Sequence, residues 1–380
     1  MSDGLLDAVR ERLAREPGEL TPHRVAVALR EAGRPVGDAT VLTVYEALRR
    51  EVVGAGPLEP LLRTPDVTDV LVNGAGAVYL DRGQGLELTD VCFADDDAVR
   101  RLAQRLAAVG GRRLDDATPY VDLRLADGTR LHAVLAPVAR PGTVISLRVP
   151  RSGGFALEEL VEGQVAEVVR RVIEARLAFL VSGGTGSGKT TLLAAMLGEV
   201  DPRERLVVVE DATELRPAHP HVVGLEARPP NIEGAGAIDL RTLVRQALRM
   251  RPDRLVVGEV RGAEVVDLLA AMNTGHEGGC GTLHANSALD VPARVEALAL
   301  AAGLDRSAAH SQFASAVDVV LHLTRGRGGR RRLSQVALPT RGADGLVTMI
   351  AALEAGPAGE VSRGPAATRL GELVAARTAA

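Results

Sequence analysis

The sequence predicts an α/β protein: a phosphate-loop core with a largely parallel sheet, preceded by an α+β domain and a short helical segment. Three observations predict this. From 178 to 284, apolar strand-like runs alternate with helical ones, the pattern of parallel βα units. Residues 183–190 read Gly-Gly-Thr-Gly-Ser-Gly-Lys-Thr, directly after the run Ala178-Phe179-Leu180-Val181 and directly before Thr191-Leu192-Leu193. Residues 51–150 have a different texture, short β-rich runs closed by turn pairs.

The elements follow in chain order. Residues 1–50 read as helices, with Leu5, Leu6, Val9 and Leu13, then Val25, Ala28 and Leu29, then Val41, Val44 and Leu48 at helical spacing. In the α+β domain, 51–150, Val67 to Val72 and Val78 to Leu80 flank Asn73-Gly74, a hairpin signal. Asp95 to Val109 reads as a helix with Val99, Leu102, Leu106 and Val109 on one stripe. A second hairpin joins Val121–Leu125 to Arg130–Leu135 around Asp127-Gly128, and Val144–Val149 is a further strand. Arg151-Ser152-Gly153-Gly154 reads as a linker. The core, 151–340, has strands at Ala178–Val181, Leu206–Glu210, Val222–Leu225, Leu255–Val257 and Gly281–His284. Helices start at Lys189 and cover Asp239–Met250 and Ala263–Met272. The tail, 341–380, is rich in Ala, Gly and Arg and is expected to be a weakly ordered, variable extension.

Composition narrows the function classes. A chain of 380 residues, 46% hydrophobic and 25% charged, can bury the cores of two or three domains and is not disordered overall. Two cysteines, Cys92 and Cys280, exclude a disulfide scaffold and a four-cysteine zinc site. No apolar run approaches the roughly 18 residues of a membrane span, and the first residues have no signal-peptide core, so a soluble, cytoplasmic protein is expected. A net charge of −4 argues against a nucleic-acid-coating protein. Of 45 Lys+Arg only one is lysine, Lys189, and it lies in the glycine-rich loop.

That loop carries the strongest chemical signal. Gly183, Gly184, Gly186 and Gly188 let backbone N–H groups curl around phosphates, with Thr185, Ser187 and Thr191 completing the wall. The helix N-terminus adds its dipole. Lys189 reaches the β/γ-phosphates of ATP, and the Thr190 hydroxyl ligates Mg2+. The strand Leu255-Val256-Val257 ends in Gly258-Glu259, where a carboxylate can orient or deprotonate an attacking water. Leu206–Val209 runs into Glu210, Asp211 and Glu214, acids that could hold Mg2+ through water or simply occupy a turn. Thr274 to Asn286 crowds His276, Glu277, His284 and four glycines. Its histidines are not paired as zinc ligands, so a moving, nucleotide-sensing loop fits better. Arg241, Arg245 and Arg249 share one helix face, either solvated or a phosphate or inter-subunit contact.

Together these segments, with Gly54–Leu62, Val67–Gly74, Asp122–Arg130, Asn231–Gly234 and Ala247–Arg254, resemble the type II/IV secretion ATPase superfamily. More narrowly, the chain resembles its tight-adherence pilus branch, the CpaF/TadA-like ATPases. The resemblance implies a RecA-like fold and the following roles. Gly183–Thr190 corresponds to the Walker A box, Glu210, Asp211 and Glu214 to an aspartate box, Gly258-Glu259 to an atypical Walker B with a catalytic glutamate. His276 and His284 fall in a histidine box. Arg130 and Arg148 match arginines that the N-terminal domain sends to the nucleotide, and Arg245 and Arg249 match basic residues of a similar helix. Strand alternation is expected to put Arg130 and Arg124 on opposite faces, leaving Arg130 as the functional one of that pair. The resemblance further implies a homo-hexamer, peripheral at the inner face of the cell membrane on inner-membrane platform proteins, driving pilus assembly or secretion. A conjugal DNA-transfer motor is the alternative. Only seven aromatic residues, and no basic segment interleaved with them, argue against single-strand binding. A non-enzymatic ring component is a third reading, opposed by the intact Glu259.

Overall fold

The computed structural model describes residues 12, 21–31, 37, 40–45, 54–83, 85–150, 154–161, 163–228, 230, 235–326, 330–357 and 359–379. The expected stripe Leu5, Leu6, Val9 and Leu13, the position Leu48, the linker residues Arg151-Ser152-Gly153 and the run Asn231–Gly234 lie outside them. The chain divides into two compact units, Met1–Ser152 and Gly153–Ala380.

In the first unit, α1 (Pro22–Glu31) buries Val25, Ala28 and Leu29 in a small core shared with Val41 and Val44. The rest is a six-stranded antiparallel sheet of β1 (Asp69–Asn73), β2 (Val78–Asp81), β3 (Leu86–Leu88), β4 (Tyr120–Arg124), β5 (Arg130–Val134) and β6 (Val144–Arg148). Its order is β3-β2-β1-β6-β5-β4. Both expected hairpins form, β1 on β2 and β4 on β5. The strands alternate, so Val70, Val72, Leu131, Ala133, Ile145 and Leu147 share a core with α2 (Asp96–Val109) and with Leu58 of the short helical segment 56–62. Asp95 caps α2 by accepting from the Ala98 N–H at 2.7 Å. The buried stripe of α2 is Val99, Leu102, Ala103, Leu106 and Ala107; Val109, the last residue of the helix, stays 53% exposed.

Sheet register corrects one expectation. Arg124 pairs directly with Arg130, and Arg130 with Arg148. Directly opposed residues of an antiparallel pair point to the same face, so Arg124, Arg130 and Arg148 form one row. The hairpin turn spans an odd number of residues between 124 and 130, and this keeps the two arginines in phase. The row continues into Asp69, which faces Arg148.

The second unit is a nine-stranded sheet. Six strands are parallel: β7 (Phe179–Gly183), β8 (Leu206–Glu210), β9 (Val222–Glu226), β10 (Arg254–Val260), β11 (Cys280–Leu283) and β12 (Val319–Arg325). Three antiparallel strands, β13 (Arg331–Arg341), β14 (Val347–Ala355) and β15 (Val361–Arg363), extend one edge, giving β15-β14-β13-β12-β7-β11-β10-β8-β9. Alternation sorts buried strand residues into two cores. Phe179, Val181, Leu206 and Val208 face α3 (Gly163–Glu174) and α4 (Lys189–Gly198). Leu180, Val207 and Val209 face α5 (Leu240–Ala247), α6 (Glu264–Met272), α7 (Val291–Ala301) and α8 (Arg306–Ala316). Helix α5 is shorter than expected. Asp239 caps it from outside, and its far end stops before Arg251 (φ +53), which precedes Pro252.

The tail beyond 341 departs from the expected weak order. β14 and β15 complete the sheet, and α9 (Ala367–Thr378) folds back so that Leu370 joins the core of α3 and α4. Its apolar residues are spaced for a strand pair and a helix. The Ala, Gly and Arg between them hid that spacing.

Candidate phosphate-binding site

The site stands at the carboxyl ends of the parallel strands, where an open α/β sheet binds ligands. Strand β7 is buried along its whole length and ends at Gly183. Gly183 has φ +153, and a Cβ there would lie 2.6 Å from the Leu323 carbonyl oxygen and 2.6 Å from Ser187 Oγ, so no larger residue fits. Gly188, at φ +95, caps α4 in the left-handed region and turns the chain into the helix. Gly184, Thr185 and Gly186 are exposed at the rim, while Thr190 and Thr191 are half-buried in the first turn of α4. Ser187 is 2% exposed, and its Oγ has no hydrogen-bond partner. A buried, unpartnered hydroxyl inside a ring of backbone donors fits an anion with several acceptor oxygens.

Lys189 opens α4. Its Nζ donates to the Gly183 and Gly184 carbonyls, each at 3.1 Å, and stands 3.4 Å from His284 Nδ1. Burial lowers its pKa, and the carboxylate of Glu259 opposes that shift. Glu259 lies near the end of β10. Its Oε2 accepts from Arg261 at 2.5 Å. Its Oε1 lies 2.7 Å from His284 Nε2, a close approach without hydrogen-bond alignment. Burial pushes the Glu259 pKa up. The Arg261 hydrogen bond and the charges of Arg261 and Lys189 outweigh it and leave the carboxyl below its ordinary range. Burial, with Lys189 nearby, lowers the His284 pKa, so the ring is neutral at pH 7.

Strand β10 is shaped around these groups. Its pairing with β11 shifts register between Val257 and Val260, and the buried Thr282 hydroxyl donates to the Gly258 carbonyl at 2.7 Å. A Cβ on Gly258 would stand 2.5 Å from Glu210 Cγ. Gly258 therefore makes room for Glu210, which is 5% exposed and accepts from the Glu214 and Leu215 N–H groups at 3.0 Å each. Glu210 fastens the loop after β8. Asp211 and Glu214 are exposed on that loop, and their charges reach Arg261. His276 stands apart from this cluster, with Nδ1 3.3 Å from the Ala271 carbonyl at the end of α6.

The structure thus brings Lys189, Glu259 and His284 together over the loop, with Thr190 beside them and Glu210, Asp211 and Glu214 along one flank. Arg130 and Arg148 belong to the first unit. Arg130 holds Asp122 through two hydrogen bonds, 3.0 and 2.6 Å, which lower the Asp122 pKa, and Arg148 holds Asp69 at 3.1 Å. Arg241 and Arg245 both bind Asp267 of α6 at 2.7 Å, a helix-to-helix tie. Cys280 is buried, its thiol pushed up to about 12, which makes it inert as a nucleophile. Among the described residues no three Asp, Glu, His or Cys side chains converge as a metal cage. Mg2+ bound to phosphates needs no such cage, since one hydroxyl and water complete its shell.

Three site residues escaped the sequence reading. Arg261 was visible only as the end of a strand. Glu264, 5% exposed, accepts from the Arg261 and Gly262 N–H groups at 2.6 and 2.7 Å and fixes the turn after Glu259. Its signal was an acid at the start of a helical run just past Gly262. His322, on β12, bonds Ser182 Oγ at 2.9 Å within the sheet, and nothing in its local sequence points there.

Known proteins resolve the class. The family model for type II/IV secretion system protein matches residues 51–342, and the chain belongs to that family. It is 57% identical over 326 residues to the putative conjugal transfer protein Rv3659c of Mycobacterium tuberculosis, covering 83% of this chain and 92% of that one. It is 32% identical to the type IV secretion system protein PtlH of Bordetella pertussis, covering 73% and 92%. Among solved structures, its fold is that of the pilus retraction motor PilT with bound ADP (TM-score 0.52, 18% identity, 87% of this chain and 86% of that one). It is also that of the Legionella pneumophila ATPase DotB (TM-score 0.52, 18% identity, 76% and 80%).

Proposed function

We propose that the chain is a Mg2+-dependent ATPase that acts as a ring-forming motor for pilus assembly or protein secretion. The observation that carries this is the convergence of Lys189, Glu259 and His284 over a phosphate loop with a buried, unpartnered Ser187 hydroxyl. Lys189 holds the β/γ-phosphates, and Thr190, with Asp211 through water, holds Mg2+, which neutralises charge on the transferred phosphoryl group. Glu259, kept ionised by Arg261, orients the attacking water and takes its proton. Neutral His284, between Lys189 and Glu259, links the base to the phosphate end. Arg130 and Arg148 are proposed to serve turnover as well, on the strength of the family resemblance.

The test separates binding from chemistry. Glu259→Gln keeps shape and loses the base, so a fluorescent ATP analogue should still bind while phosphate release falls by roughly 10²-fold or more. Normal hydrolysis in this variant would move the base to Glu210 or Glu214.

The finer assignment has two readings. The tight-adherence reading rests on the long, order-preserving runs in the N-terminal domain and core. The conjugal reading is favoured by relatives described as conjugal transfer proteins, the 57% identical one among them. Stimulation of ATP turnover by single-stranded DNA at physiological salt would select the second, and indifference to DNA the first.

A further inference from the structure

Two arginines outside the recognised motifs reach the phosphate loop from the antiparallel edge. Arg325 ends β12, Arg331 opens β13, and the two are directly paired. Arg331 Nε donates to the Gly186 carbonyl at 3.0 Å. Its Cδ lies 3.2 Å from where a Cβ on Gly188 would stand, and Arg325 Nη1 lies 3.5 Å from the same point on Gly186. Both side chains are exposed at the rim. They stand at the carboxyl end of β12, whose Leu323 is in register with Gly183.

The sheet order says which part of a nucleotide they meet. Glu259, the proposed base, is on β10, and His284 follows β11, both on one side of β7. Strands β12 and β13 are on the other. Hydrolysis happens at the terminal phosphate, so that phosphate lies towards β11 and β10. The opposite flank is then left to the α-phosphate, ribose and base. A guanidinium there suits the nucleoside: its fork donates to ribose and base oxygens, and its plane stacks on a purine.

We propose that Arg331, carried by the β12–β13 hairpin and anchored on the Gly186 carbonyl, is a nucleotide-binding residue that holds the nucleoside end of the ligand. The inference rests on the ATPase reading above and adds a contact that the Walker motifs do not contain.

The test is a binding measurement on the full chain, independent of turnover. Fluorescent N-methylanthraniloyl-ADP reports nucleotide affinity directly, and inorganic tripolyphosphate, as competitor, reports the phosphate cradle alone. In Arg331→Ala, ADP affinity is expected to fall roughly tenfold or more, the loss of one charge-assisted contact. Tripolyphosphate affinity should stay within about twofold of the parent chain, because the cradle of Lys189 and the loop is intact. Lys189→Ala should weaken both ligands. Arg331→Lys, which keeps stem and charge but not the fork, should recover only part of the ADP loss. Unchanged ADP affinity in Arg331→Ala, or full recovery by lysine, overturns the proposal. An equal loss for tripolyphosphate overturns it too, since Arg331 would then serve the phosphates at large. A parent chain that binds neither ligand removes the ATPase reading and this inference with it, an outcome distinct from all the others.

Discussion

At the residue scale, the site is a set of charges that hold one another in place. Lys189 is the only lysine, in a chain whose other 44 basic residues are arginine. An ammonium is a compact charge that fits under two loop carbonyls, whereas a planar fork does not. Lys189→Arg is therefore expected to bind ATP weakly and to lose turnover, measured as phosphate release against the parent chain; near-normal activity would place the phosphates elsewhere. Glu259 gives a pH prediction. Its folded pKa is depressed, so it stays ionised, and its pairing stabilises the fold, at every pH above the ordinary carboxylate range. Both are lost as pH falls through the depressed value. The acid limb of turnover should thus lie below the range of a free glutamate. Arg261→Ala, which removes the main force lowering that pKa, should shift the limb to higher pH. An unmoved limb would mean that Glu259 is not the titrating base. This scale was the most legible in the sequence, because Lys189 and Gly258-Glu259 are fixed to strand ends by local pattern. Glu264 and His322 were not, since a capping acid and a buried sheet histidine look like any others until tertiary contacts are made.

At the element scale, strands were easier to read than their faces. Both hairpins of the first unit and the βα alternation of the second followed from periodicity and turn residues. The pairing of Arg124 with Arg130 did not. It depends on the number of residues the turn consumes, and one residue more or less inverts the answer. With Arg124, Arg130 and Arg148 in one row, the three alanine variants belong in one experiment. Arg130→Ala and Arg148→Ala should keep the fold and lose turnover, by roughly 10³-fold if they act as arginine fingers. Arg124→Ala, on the same face, is expected to be impaired as well and not to resemble the parent. Parental turnover in all three would take the row out of the reaction.

At the scale of the whole molecule, the chain has two compact units, each with its own core. A ring in which ATP binds at subunit junctions would be favoured by nucleotide through mass action. Light scattering should therefore report a larger particle with a non-hydrolysable ATP analogue than without it. A monomer under both conditions, at concentrations where turnover is seen, would remove the ring from the proposed function.

The last forty residues carry a practical consequence. The recognisable family segment stops at residue 342, in the turn after β13. A chain cut there would lose β14, β15 and α9, and with them the cover over Leu333, Val336 and Leu338. Strand β13 would become a long bare edge with unpaired backbone donors and acceptors, the kind of surface that recruits another chain and precipitates. The limits of the family likeness and of the folding unit therefore differ, and shortening the protein to the part that looks familiar should cost it solubility before it costs it any chemistry.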